Sequence, residues 1–117
     1  MAFKFEDLRV WQKALDLSEE VHKLTLSFPK EEMYVLSSQI KRAADSIALN
    51  IAEGSTGQSD KEFARFLGIA LRSGIEVVSC LHIGKRRGLI SDDQFQQLYD
   101  ELTDLIKMIQ ALRNSLN

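Results

Sequence analysis

Apolar residues recur at alternating spacings of three and four along four segments of the chain. This spacing places the apolar side chains of each segment on one side of a helix, where a neighbouring helix must cover them. One of the four segments keeps the spacing with a single slip, and the others keep it throughout. The four sets are Val10, Ala14, Leu17, Val21, Leu24 and Phe28; Leu36, Ile40, Ala43, Ile47 and Ile51; Phe63, Leu67, Ala70, Gly74, Val77 and Leu81; and Phe95, Leu98, Leu102, Leu105, Ile109, Leu112 and Leu116. The pattern predicts four amphipathic helices.

Local signals set the predicted limits of the first two helices. The first helix is expected to begin near Asp7 and to end near Phe28. Pro29 stops it, because proline has no N–H to donate and disfavours the α conformation in the residue before it. The second helix is expected to run from about Glu31 to Glu53, with acidic side chains at the positive end of its dipole.

Glycine and serine mark the limits of the other two helices. The segment 54–58 reads GSTGQ and is the flexible break before the third helix. Ser-x-x-Glu at 59–62 and Ser-x-x-Gln at 91–94 are capping boxes, which predict the starts of the third and fourth helices. Gly88 is the predicted C-terminal cap of the third helix, and the fourth runs to the end of the chain.

Four helices of comparable length, about 22 to 29 residues each, are joined by short loops. This arrangement predicts an all-α fold, an antiparallel up-down-up-down four-helix bundle, with residues 1–117 forming a single domain. Further apolar residues lie beside the main stripes, and a monomer would have difficulty covering both sets. We therefore expect a ring-like homo-oligomer. The residues beside the stripes are Trp11, Leu15, Phe66, Ile69, Tyr99 and Ile106.

Composition indicates a soluble cytoplasmic protein without a membrane segment. Hydrophobic residues make up 44% of the chain and charged residues 27%, as in an ordinary globular domain. No apolar run approaches the roughly 20 residues that span a bilayer, and the first residues lack the apolar core of a signal peptide. The single cysteine, Cys80, excludes an internal disulfide and is typical of a reducing compartment.

Four segments of the chain resemble one bacterial family. Residues 39–54 read QIKRAADSIALNIAEG, and this stretch is similar to the signature of the 23S rRNA intervening-sequence proteins, also called four-helix bundle proteins. Residues 5–14 (FEDLRVWQKA), 28–31 (FPKE) and 61–67 (KEFARFL) agree with it. The resemblance implies a four-helix bundle that assembles into a homopentamer and has no catalytic activity. It also implies kinship with a nucleic-acid-binding accessory protein of reverse-transcriptase retroelements.

The second predicted helix carries a polar row beside its apolar stripe. Spacings of three, four, four and three place these side chains on one side of the helix. A ligand or partner site is one interpretation; a structural network that includes Glu76, or a solvated face, is the alternative. The row consists of Gln39, Arg42, Ser46, Asn50 and Glu53.

Basic residues are concentrated in the third predicted helix. Residues 59–88 hold six basic and three acidic residues, whereas residues 91–117 hold two basic and five acidic ones. Lys61, Arg65 and Arg72 form a row that could contact phosphates. The alternatives are solvation or pairing with acidic residues of the fourth helix, namely Asp100, Glu101 and Asp104.

A second basic cluster lies in the last turn of the third helix. Its position has a structural explanation that needs no nucleic acid, since cations favour a helix C-terminus. No aromatic residues interleave with these bases to stack on nucleotides, and the net charge of −2 gives no general attraction to nucleic acid. The cluster consists of Lys85, Arg86 and Arg87.

The sequence offers little for catalysis. Glu19 and His22 have the Glu-x-x-His spacing of di-iron bundles, but such a site needs a second copy, and His82 has Ser79 in the corresponding position. Cys80 is interpreted as a packing residue. We therefore expect no enzymatic activity, metal, cofactor or small-molecule substrate. Two hypotheses remain: a homo-oligomeric scaffold protein and a nucleic-acid-binding accessory protein.

Overall fold

The computed structural model describes residues 2–57 and 59–116, and within these ranges the chain forms four α-helices and no strand. The molecule measures 43 × 22 × 22 Å. The long dimension corresponds to the longest helix, which has 27 residues and a length of roughly 40 Å at 1.5 Å per residue. The helices are α1 (Arg9–Thr25), α2 (Leu36–Ser55), α3 (Asp60–Arg86) and α4 (Asp92–Ser115).

Neighbouring helices run in opposite directions. Gly54, near the end of α2, lies against Phe66 near the start of α3, whereas Ser46 in the middle of α2 bonds to Ser73 in the middle of α3. The same reversal relates α3 to α4. The end of α4 reaches Ala64 near the start of α3, and the first turns of α4 contact the last turns of α3. The predicted antiparallel bundle is therefore formed within the protomer.

The four predicted stripes form the core. In α1, α2 and α3 every residue of the stripe is buried, and Phe28 beyond α1 is buried too. In α4 the first five are buried, while Leu112 and Leu116 are half-buried and pack at the edge of the core. Burial of such stripes at about 25 cal/mol per Å² of apolar surface is the main source of stability.

The first two helices are shorter than predicted. A 3₁₀ turn at Lys4–Asp7 and an extended Leu8 precede α1, so the α-helix begins at Arg9 rather than near Asp7, and it ends at Thr25 rather than near Phe28. The prediction that helix 2 starts near Glu31 is wrong by five residues.

The connection between α1 and α2 explains the late start of α2. Pro29 caps a second 3₁₀ turn, Lys30–Glu32, with the N–H of Met33 donating to the Lys30 carbonyl at 3.0 Å. The backbone of Val35, at φ −120° and ψ −99°, then leaves the helical region. The acidic side chains therefore lie at a 3₁₀ turn rather than at the start of α2.

The predicted caps of the later helices are largely confirmed. The Ser59 side chain accepts a hydrogen bond from the Glu62 N–H, and Ser91 and Gln94 form the full capping box. Gly88 has φ +75°, which favours glycine because a Cβ is strained there. The Leu89 N–H donates to the Gly84 carbonyl at 2.9 Å, so α3 ends in a Schellman motif.

By length and composition alone, α3 could cross a membrane. The length of the apolar runs in the sequence had predicted no such helix. Helix α3 is the one such helix in the described part of the chain. The core helix of a globular protein passes the same test, and α3 packs against both α2 and α4.

Candidate interaction surfaces

The polar row of α2 contributes to the contact with α3. The Gln39 amide donates to Glu76 at 3.0 Å, near one end of the contact. Near its middle, the hydroxyls of Ser46 and Ser73 are 2.8 Å apart, and the Asn50 amide donates to the carbonyl and hydroxyl of Ser46 at 2.8 and 2.9 Å. A hydrogen bond of this kind contributes about 1 kcal/mol, and these bonds also favour one register of α2 on α3.

Two members of the row lie outside this network. Arg42 and Glu53 are exposed, and their side chains make no hydrogen bond or ion pair with the residues described. The row is therefore divided: three members bond within the protomer, and two are available at its surface.

The basic row of α3 gains a fourth member from α4. Arg113 crosses over Gly68, and its Nε donates to the Ala64 carbonyl at 3.1 Å. A Cβ on Gly68 would lie 3.1 Å from the Nη2 of Arg113, so the glycine leaves room for the guanidinium. Arg65 lies over the ring of Phe66, 4.6 Å from its centroid. We call this surface the basic patch; it consists of Lys61, Arg65, Arg72 and Arg113.

The acidic residues of α4 do not reach the basic patch. Asp100 accepts a hydrogen bond from Gln96 on its own helix at 2.9 Å, and Glu101 and Asp104 line a groove beside α1. Lys61, Arg65 and Arg72 are exposed and have no ion pair within residues 2–57 and 59–116. The expected alternative, pairing with the acidic residues of α4, is therefore not formed within the protomer.

The basic cluster at the end of α3 is largely engaged in local contacts. Arg87 pairs with Glu32 at 3.2 Å, which joins the end of α3 to the 3₁₀ turn before α2. Lys85 lies 3.7 Å from Asp92 and 4.6 Å from the centroid of the Phe95 ring. Arg86 is exposed. Two of the three bases therefore stabilise the bundle end.

A groove of about 390 Å³ separates α1 from α4. Leu17 and Leu105, both buried, lie among its lining residues, and Lys13, Glu19 and Lys23 line it on the α1 side. We call it the acidic groove, after four of the carboxylates that line it: Asp16, Glu20, Glu101 and Asp104.

Crowding of carboxylates in the acidic groove raises the pKa of Glu20 to about 7. The largest cause is a hydrogen bond with the Glu101 side chain, followed by burial and by repulsion from Glu101 and Asp16; the Lys23 ammonium opposes the shift. The raised pKa of Glu20 indicates that this groove concentrates negative charge between α1 and α4.

His22 contacts α2 rather than a metal-binding set. Its Nε2 lies 3.1 Å from Asp45 Oδ1, and Ser18 donates a hydrogen bond to the same carboxylate. Glu19 pairs instead with Lys23 at 3.1 Å. The Ser18 hydroxyl bonds to the Asp45 carboxylate and not to the His22 imidazole, so these three side chains lack the serine–histidine contact of a catalytic triad. Within the described residues no group of three or more potential ligands could hold a metal ion.

Cys80 is buried, and burial followed by repulsion from Glu76 raises the pKa of its thiol. The reactive form of cysteine is the thiolate, so this side chain is a poor nucleophile. It packs in the core as expected.

These surfaces and the helices that carry them define a small all-α four-helix protein with an acidic groove between α1 and α4 and a basic patch on α3. A family model described as "23S rRNA-intervening sequence protein" matches residues 6–111. The chain belongs to that family, and the resemblance seen in residues 39–54 is confirmed.

The same fold is seen, for example, in a solved structure. It is a protein with unknown function from the S23 ribosomal protein family of Bacteroides thetaiotaomicron VPI-5482. The two chains share 26% identity and superpose with a TM-score of 0.80, over 89% of this chain and 97% of that one. No curated protein matches this chain.

Proposed function

We propose that this protein is a non-catalytic, cytoplasmic homo-oligomer that acts as an interaction scaffold. A closed ring of five subunits is the form that the family resemblance implies. The observation that carries the proposal is the exposure of large apolar side chains in the middle of core helices: Leu49 of α2 is 65% exposed, and Ile75 of α3 is 61% exposed.

Exposed apolar residues are normal when they are scattered singly, but this protomer exposes several large ones besides these two. Ile83 and Tyr99 are also exposed on the outer sides of α3 and α4, and Val35 is exposed just before α2. Association of subunits would remove this apolar surface from water, at about 25 cal/mol per Å².

Light scattering coupled to size-exclusion chromatography tests the proposal. We expect a particle mass several times the subunit mass of 13.3 kDa, and a lower mass for Leu49→Glu/Ile75→Glu. Leu26→Glu is the control, because Leu26 is 84% exposed but lies at the end of α1. A stable wild-type monomer at micromolar concentration would contradict the proposal.

A nucleic-acid-binding accessory protein is the second candidate, and the unpaired bases of the basic patch favour it. Cations that neutralise phosphates release counterions, so binding should be insensitive to sequence and should weaken steeply with salt. A ring would repeat the patch on every subunit and raise avidity. The protein's net charge of −2, repeated on each subunit, opposes such binding.

A mobility-shift assay with structured RNA and duplex DNA at two salt concentrations tests this candidate. If the basic patch carries binding, Arg65→Glu/Arg72→Glu should abolish the shift, whereas Lys30→Glu/Lys41→Glu, which changes the net charge equally, should retain most of it. Absence of a shift at low salt would exclude the second candidate.

A further inference from the structure

The protomer carries two surfaces of opposite charge that are not neutralised within it. The acidic groove lies between α1 and α4, and the basic patch lies on α3 with Arg113 of α4. No ion pair joins the two surfaces in the described parts of the chain.

The shape of the acidic groove allows a partner to enter. α1 and α4 pack less closely than the other neighbouring helices, and the groove between them is open to solvent along one side. Leu17 and Leu105 lie at its base. It presents carboxylates from both helices, which suits a cationic side chain.

We infer that the basic patch of one subunit docks in the acidic groove of the next, so that copies of this chain associate head to tail. The inference rests on the proposed homo-oligomer and names the surfaces that would join its subunits. Because the two surfaces differ, the contact is heterologous, and a heterologous contact produces a ring when its rotation closes.

Electrostatics supports this pairing from the side of the groove. The hydrogen bond with Glu101, burial, and repulsion from Glu101 and Asp16 raise the pKa of Glu20, and the five carboxylates that line the groove outnumber its two lysines, Lys13 and Lys23. An arginine from a second copy would remove this repulsion, and its planar guanidinium can bond both oxygens of a carboxylate.

Preorganisation supports it from the side of the patch. The bond from Arg113 to the Ala64 carbonyl fixes one guanidinium above Gly68. The guanidinium of Arg65 lies over the ring of Phe66, which orders it. Side chains that are already ordered lose less entropy when they bind.

Charge reversal of each surface, measured by light scattering and sedimentation, provides the test. Arg65→Glu/Arg72→Glu and Glu20→Lys/Glu101→Lys should each weaken assembly by on the order of 100-fold, because like charges would face each other. Lys30→Glu/Lys41→Glu, with the same change of net charge as the first variant, should assemble like the wild type. Circular dichroism verifies folding; Arg65→Gln/Arg72→Gln replaces the patch variant, and Glu20→Gln/Glu101→Gln the groove variant, if either reversal fails to fold.

Two rescue experiments sharpen the test. The chain that combines both reversals regains complementary surfaces and should assemble again. An equimolar mixture of the two single-surface variants should also assemble, but only with alternating subunits. A ring of five cannot alternate, so the mixture should form even-numbered rings or open chains.

The outcomes separate this inference from the proposed function. If the wild type assembles and both reversal variants assemble equally well, the inference is wrong and the scaffold proposal stands. Failure of both rescues also overturns it. A monomeric wild type would contradict both the inference and the scaffold proposal. Capture by the groove of a polyamine or of an unrelated basic protein, with assembly unaffected by reversal, would show that the groove has another occupant.

Discussion

Gly54 of α2 and Phe66 of α3 are in such close contact that a Cβ on the glycine would lie 2.5 Å from the Cβ of Phe66. The helices approach each other here because one residue lacks a side chain. The backbone of Gly54 is not in the left-handed region that favours glycine. The close approach of the two helices therefore explains why glycine occupies this position.

Gly54→Ala should therefore destabilise the protein. Alanine gains helix propensity, but overpacking against a rigid Cβ costs more, so we expect a net loss of about 1 to 2 kcal/mol in the free energy of unfolding. Gly68→Ala is the control, because it meets the flexible end of Arg113 and should be neutral or stabilising. Urea denaturation measures both. An unchanged midpoint for Gly54→Ala would contradict this packing.

Ile109 belongs to the α4 stripe and is 1% exposed. Ile109→Asp buries a carboxylate without a partner, which should cost at least about 3 kcal/mol or force protonation of the side chain. Thermal unfolding followed by circular dichroism should show the loss. Ala111→Asp, an exposed change on the same helix, should have little effect. Equal stability of the two variants would mean that α4 does not pack as described.

The hydroxyls of Ser46 and Ser73 should be coupled energetically. Ser46→Ala removes the hydroxyl that bonds to Ser73 and Asn50, while Asn50 keeps its bond to the Ser46 carbonyl, and we expect a loss of about 1 kcal/mol. In a double-mutant cycle, Ser46→Ala/Ser73→Ala should cost less than the sum of the single changes. Strict additivity would indicate that the two hydroxyls do not interact in solution.

Stability should depend on pH through Glu20. Its pKa is raised from 4.5 to about 7 in the folded protein, so the folded state binds more protons than the unfolded state between these values. The contribution of this group is thus greatest below pH 4.5 and is lost as the pH rises toward 7. Because the groove is open to solvent, the effect will be smaller than that of a buried group.

Glu20→Gln isolates this contribution. Relative to the wild type, the melting temperature of Glu20→Gln should rise from pH 5 to pH 8. The reason is that Glu101 and Asp16 repel an ionised Glu20 but not a neutral glutamine. Glu19→Gln, which alters an exposed partner of Lys23, should show no such trend. Melting curves at one protein concentration are required, because assembly also shifts the midpoint. A difference independent of pH would refute the raised pKa of Glu20.

The sequence predicted the core well because burial follows directly from helical periodicity. Ile40 and Leu102, for example, lie where the stripes place them and are fully buried. The start of α2 was missed because propensity does not distinguish a 3₁₀ turn from the first turn of an α-helix. The ion pair of Glu32 with Arg87, 55 residues away, becomes visible only in the folded chain.

The surfaces were less predictable than the core. Lys61, Arg65 and Arg72 are recognisable as a row because they share one helix, but Arg113 joins them across an interhelical contact. The rotation of α4 about its axis decides which neighbour its acids face, and it directs Glu101 and Asp104 toward α1 rather than α3. The apolar pattern of a helix predicts which side of the helix is buried. It does not predict which neighbouring helix lies beside the residues that border the buried side.

The burial of Cys80 has a practical consequence for any assembly of this chain. It is the single sulfhydryl in the sequence, and it is 3% exposed in the protomer. Identical subunits therefore offer one another no accessible thiol that could form an intersubunit disulfide. A multimer of the folded protein should migrate as a single chain on a non-reducing denaturing gel, and its cohesion would be entirely non-covalent.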